Sequence, residues 1–238
     1  MASGGWPVVG ASPVAFAADW QVPHELDTAG LQTVKAEFVA AARRAARLGI
    51  DLIELHGAHG YLLHTFLSPL SNRRTDSYGG ALANRMRFPL EVFEAVRAVF
   101  PADRPVGIRL SATDHVAGGW TLEESIALSH ELKSLGVDFV DVSSGGLSPE
   151  QKITVGPGYQ VAYADAIKRA TGVVTMAVGM IDQPQQAETI IRGGSADLVA
   201  LARGFLNDPR WGWHAADALR AEAFAPPQYA RARPAPRR

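Results

Sequence analysis

His56, His59 and Tyr61 fall within six residues, at the end of a short apolar run and separated by Gly57, Ala58 and Gly60. Two imidazoles and a phenol in one turn can hold an oxygen that gains negative charge and can hand over a proton beside it. Loops that follow buried strands are where such groups collect. A lone histidine at a strand end is more often structural, so the chemical reading needs support from the rest of the chain. Zinc is the competing chemistry, since Glu54, His56, His59 and His64 are close in sequence. No H-E-x-x-H helix holds them, however, and no cysteine exists to complete a shell, so no metal is expected.

The elements that must position these residues follow from periodicity. Leu31, Val34, Phe38, Ala41, Ala45 and Leu48 recur at helical intervals, with Asp27 or Thr28 as a cap and Gly49 as a stop, which predicts an amphipathic helix. Five strand-then-helix units come next: strand 50–55 with helix 84–99 after an insertion, 106–110 with 121–135, 137–142 with 159–170, 173–178 with 184–192, and 196–201 with 209–221. Their strands are almost continuous apolar runs, as in parallel sheets covered by helices. Residues 1–27 are interrupted by Pro7, Pro13 and Pro23 and read as loop; residues 222–238 read as a Pro-, Ala- and Arg-rich tail. The whole is expected to be a single domain.

Polar and glycine residues gather just after the strands: His56 and His59, Arg109 with Ser111, the run Ser143, Ser144, Gly145 and Gly146, then Gly179, and Arg203 with Gly204. Chemistry at five strand ends favours the active face of a β/α barrel over the single switch point of a doubly wound sheet. A closed barrel of this type has eight strands and five are found, so an incomplete (β/α)8 barrel or an open sheet is expected. The glycines would let backbone N–H groups approach a phosphate that Arg203 could grip, although each is also an ordinary turn residue. No dinucleotide fingerprint and no P-loop is present, which leaves a mononucleotide phosphate.

Composition narrows the partners. The 23 basic and 24 acidic side chains nearly cancel, so nothing marks the chain for duplex nucleic acid or an anionic membrane. No apolar run approaches a spanning length and no secretory signal opens the sequence, which suggests a cytoplasmic protein.

The stretch Ile53-Glu54-Leu55-His56-Gly57-Ala58-His59-Gly60-Tyr61-Leu62, continuing through Phe66-Leu67-Ser68-Pro69-Leu70-Ser71-Asn72-Arg73-Arg74-Thr75-Asp76-Ser77-Tyr78-Gly79-Gly80, resembles the Old Yellow Enzyme family of flavin-dependent oxidoreductases. Within that family it is most similar to the YqjM-like or xenobiotic-reductase-like branch. Ile108-Arg109-Leu110-Ser111, Asp141-Val142-Ser143-Ser144-Gly145-Gly146, Ala177-Val178-Gly179-Met180 and Pro227-Gln228-Tyr229-Ala230-Arg231 fit as well. The resemblance implies a TIM barrel that binds FMN, is reduced by NADPH or NADH, and reduces the C=C of unsaturated carbonyl or nitro compounds. It implies that His56 and His59 bind the substrate oxygen, that Tyr61 protonates carbon, and that Arg109 sits beside the flavin pyrimidine. It further implies that Ser143, Ser144, Gly145, Gly179, Ala202 and Arg203 serve the cofactor. Tyr229 and Arg231 would reach a neighbouring subunit's site in a homo-oligomer.

Two departures stand against this pattern. The family's first three strands have no counterpart here, and Ala202-Arg203 replaces the usual Gly-Arg at the phosphate. A non-catalytic partial barrel that binds flavin weakly, or serves in assembly, therefore competes with the ene-reductase reading. A phosphate-binding isomerase or lyase with His59 as base is a third reading, which the long motif disfavours.

Overall fold

The computed structural model describes residues 5–229 and Arg231. The leading segment, expected to be loop throughout, carries one small parallel pairing between β1 (Val9–Gly10) and β2 (His24–Glu25). Arg74 fastens this segment to the body of the molecule by donating to Ala11 O at 3.0 Å and Leu26 O at 2.7 Å. Helix α1 (Thr28–Arg47) follows, and the Asp27 carboxylate caps it by accepting from Gly30 N–H at 2.7 Å.

The five expected strands form one parallel sheet in chain order. They are β3 (Ile53–Gly57), β4 (Val106–Ser111), β5 (Phe139–Ser143), β6 (Thr175–Val178) and β7 (Leu198–Ala200). The strand expected at 50–55 starts and ends later: the Ile50 N–H closes α1 by donating to Ala45 O, so pairing begins only at Ile53 and carries His56 and Gly57 into the sheet. The last three strands likewise start two residues later than expected, at Phe139, Thr175 and Leu198.

Two helices lie where none was expected. Helix α2 (Leu62–Leu67) occupies the insertion and buries Leu63, Phe66 and Leu67; it precedes α3 (Leu82–Arg97), and Phe66 meets Phe88 at 4.6 Å between ring centroids. Helices α4 (Leu122–Ser134), α5 (Val161–Thr171) and α6 (Pro184–Arg192) alternate with the strands, and the short α7 (Arg203–Asn207) separates β7 from α8 (Trp211–Leu219). Six and five residues are too few to display a helical period, so α2 and α7 leave no periodic signal in the sequence.

One core lies between sheet and helices, and strand alternation sorts its faces. Leu55, Ile108, Leu110, Val140, Val142 and Ala177 cluster with Leu31, Val92, Phe93, Leu128, Leu132 and Ile167. Glu54, His56, Arg109, Ser111, Asp141 and Ser143 occupy the alternate positions and line the concave side. The result is an incomplete β/α barrel with β3 and β7 as open edges.

The expected tail does not hang free as far as Tyr229. Trp213 Nε1–H donates to Phe224 O at 3.1 Å, and Arg210 lies over both the Trp213 and Tyr229 rings. Arg233, Arg237 and Arg238 lie outside the described residues. No helix among the described residues is long and apolar enough to cross a membrane.

Candidate active site

Parallel register places His56 beside Arg109, Arg109 beside Asp141, and Ser111 beside Ser143. The chain then turns sharply at His59 and Gly60, both left-handed at φ 58° and 75°. That turn brings the His56 ring to 5.2 Å from His59 and 5.1 Å from Tyr61, centroid to centroid. The three residues singled out from sequence thus form one cluster at the strand ends.

Backbone packing explains the glycines around it. A Cβ on Gly60 would stand 2.7 Å from Gly146 O, and one on Gly146 would stand 2.6 Å from His59 Cα. Gly145 and Gly146 are therefore the floor on which the histidine turn rests. The Gly146 N–H is already engaged by Gln151 Oε1 at 2.6 Å, and the Gly145 N–H by Thr113 O at 2.8 Å. Ser143 and Ser144 are likewise occupied. His59 Nε2 is 2.7 Å from Ser143 Oγ, and Gln160 Oε1 accepts from Ser144 Oγ–H at 2.7 Å while Gln160 Nε2–H donates to Val178 O. Gln160 was not foreseen, because nothing in its local sequence distinguishes it from a helix-start residue.

Charge on the concave face is arranged around Arg109. Its Nε lies 3.3 Å from Asp141 Oδ2, but off the hydrogen-bond axis, so the buried Nε and Asp141 Oδ1 both lack a hydrogen-bond partner among the described residues. Burial pushes the Asp141 carboxyl up to about 6 despite Arg109. Desolvation on the concave face and Asp141 together push Glu54 to about 7, although the residue as a whole is exposed. The same surroundings work the other way on imidazole: burial, then Arg109, His56 and His64, lower His59 to about 4, and burial, Arg109 and His64 lower His56. Both rings are neutral near pH 7 and can donate a hydrogen bond without bringing a formal charge.

The proposed phosphate end is more dispersed. Gly179, with φ 122°, packs its backbone against Tyr159 and Gln160. Arg203 opens α7 on the surface with no ion pair among the described residues. Ala202 has φ −103°, which any L residue adopts, so its methyl strains nothing. Arg231 is exposed and Tyr229 half-exposed, and neither touches the histidine cluster through any contact seen here. A depression of about 420 Å3 at the opposite ends of β6 and β7, beside Lys168 and Asp197, carries none of these groups. No group of three or more histidine or acidic side chains among the described residues is arranged to hold a metal ion.

Residues 6–222 match the NADH:flavin oxidoreductase / NADH oxidase family. The chain belongs to that family. Its similarity to Old Yellow Enzyme relatives runs the length of the match: it is 45% identical over 224 residues to an NADPH dehydrogenase of Geobacillus sp. (strain WCH70), covering 94% of this chain and 65% of the relative. An NADPH dehydrogenase of Listeria innocua is 43% identical over 225 residues, with 94% and 66% covered. The chain thus spans about two thirds of the length of these curated relatives. Among solved structures, a 2-naphthoyl-CoA reductase superposes with TM-score 0.83 at 27% identity, over 89% of this chain and 33% of the other. Morphinone reductase superposes with TM-score 0.74 at 28% identity, over 94% and 62%. These neighbours agree with the barrel sector seen here.

Proposed function

We propose that the concave face of this family member is the FMN and substrate site of an NAD(P)H-dependent ene-reductase acting on unsaturated carbonyl or nitro compounds. The observation that carries this reading is the convergence of His56, His59 and Tyr61 above the partly buried Arg109. A flavin pyrimidine edge presents carbonyl oxygens and gathers negative charge on reduction, which suits a guanidinium whose side chain stays 28% exposed on the concave face. FMN, when bound, supplies the hydride. His56 and His59 then hold the substrate oxygen as neutral N–H donors, stabilising the charge that builds there. For His59 this requires the Ser143 hydroxyl hydrogen to point to Nε2 at 2.7 Å and not to Gln160 Oε1 at 3.3 Å, which leaves Nδ1–H to donate. Tyr61, exposed beside His56, would pass its phenolic proton to carbon. Gly179 and Arg203 would serve the phosphate, and Tyr229 with Arg231 a neighbouring subunit in a homo-oligomer.

The exposed β3 and β7 edges favour a second reading for this chain taken alone, as a weak flavin-binding module. Misplacing reacting atoms by ~1 Å can cost about a hundredfold in rate, so turnover is expected to suffer more than binding. The two half-reactions separate the readings. NAD(P)H-driven flavin reduction and enone-driven reoxidation are measured for the chain and for His56→Ala with His59→Ala. Selective slowing of reoxidation in the double variant supports the substrate-oxygen role. Equal effects on both halves, or none, contradict it; flavin binding without either half-reaction supports the module.

A further inference from the structure

His64 and Asp114 have no exposed surface, and the chemistry proposed above does not use them. His64 sits on α2, five residues beyond His59, while Asp114 follows β4, and their side chains meet under the histidine turn. The Gly60 N–H donates to His64 Nδ1 at 2.9 Å, so that nitrogen is unprotonated and the ring proton is on Nε2. Nε2 in turn lies 3.0 Å from Asp114 Oδ1, obliquely, and neither atom has a hydrogen-bond partner elsewhere among the described residues. The other carboxylate oxygen is fixed from two directions: Ser68 Oγ–H donates to Oδ2 at 2.5 Å and the Trp120 N–H at 2.7 Å. Burial works against the charged carboxylate, yet the adjoining His64 ring and the hydrogen bonds from Ser68 and Trp120 hold its pKa below the usual range.

Such an arrangement matters because of what Gly60 does. His59 is a non-glycine residue at φ 58° followed directly by Gly60 at φ 75°, a conformation that persists only where the surroundings over-determine it. Ser111 Oγ holds the His59 N–H at 3.0 Å, and His64 holds the next amide along.

We propose that the buried His64–Asp114 pair is a positioning unit that anchors Gly60 and thereby aims His59 and Tyr61. The meaning of that aim for catalysis rests on the proposed function, but the anchoring does not. Three variants of the 238-residue chain test it by NMR: His64→Leu, which removes the acceptor; His64→Asn, whose side-chain oxygen can replace Nδ1; and Asp114→Asn. In His64→Leu the Gly60 amide should exchange about tenfold or more faster than before, relative to the core amides of Ile108 and Leu110. The His59 ring signals should also move, because the turn no longer aims the ring. His64→Asn should restore much of the Gly60 protection, and Asp114→Asn should disturb His59 without matching losses in the core. Should His64→Leu not fold, the other two variants decide on the same signals. Gly60 and His59 signals that are unchanged, or that change only in parallel with the core, would overturn the proposal. So would collapse of all three variants, which would assign the pair to general stability. No flavin or enone enters these measurements, so the proposed function can fail while this result stands, and the reverse.

Discussion

Glu54 shows how the concave face sets the behaviour of one side chain. Its carboxyl is raised from 4.5 to about 7, so the folded protein holds a proton there that the unfolded chain releases at lower pH. Its ionisation therefore opposes folding, by an amount that grows as pH rises from about 4.5 to about 7 and is constant above. Glu54→Gln should gain stability relative to the parent over that interval and keep the gain at higher pH, as read by urea unfolding between pH 4 and 8. An unchanging difference between the two proteins would contradict the raised pKa. Gly146 makes a sharper case. Alanine there meets both a left-handed φ of 90° and a 2.6 Å approach to His59 Cα, so Gly146→Ala should cost ~1–3 kcal/mol or more and displace the His59 ring signal. At this scale the sequence disclosed residue types but not partners: His56, His59, Tyr61 and Arg109 stood out and His64 was marked only as their neighbour in sequence, whereas Gln160 and Asp114 are joined to the site only by the fold.

Elements tell a similar story. Long periodic helices and apolar strands were legible because their burial pattern repeats many times, and the parallel order of the five strands followed from unit spacing. Boundaries were less legible, since Ile50 and Val173 look like strand residues and are used by the turns that precede β3 and β6. Helix α4 was written with an explicit start: Thr121 accepts from Glu124 N–H while the Glu124 carboxylate accepts from Thr121 N–H. Thr121→Ala should cost about 1 kcal/mol in urea unfolding with no change in the denaturant slope. A loss several times larger would show that this end of α4 does more than cap itself.

For the whole molecule, the decisive feature is an inner face that no further strand covers among the described residues. The edges β3 and β7 each have a neighbouring strand on one side only among the described residues, and Leu198 on the β7 edge is 41% exposed. Open edges of this kind invite pairing with another chain. Sedimentation of the chain should show concentration-dependent association; a monomer that unfolds cooperatively at every concentration would count against this. The same openness bears on the proposed cofactor site, because Arg109 lies on a face that the described residues leave partly uncovered. Titration of FMN by flavin fluorescence, for the chain and for Arg109→Ala, tests the central claim most directly. The account predicts weak, saturable binding that Arg109→Ala weakens by about tenfold or more, the scale of a lost charge-assisted hydrogen bond. Absence of saturable binding, or equal affinity in the two proteins, would contradict the placement of the flavin over Arg109.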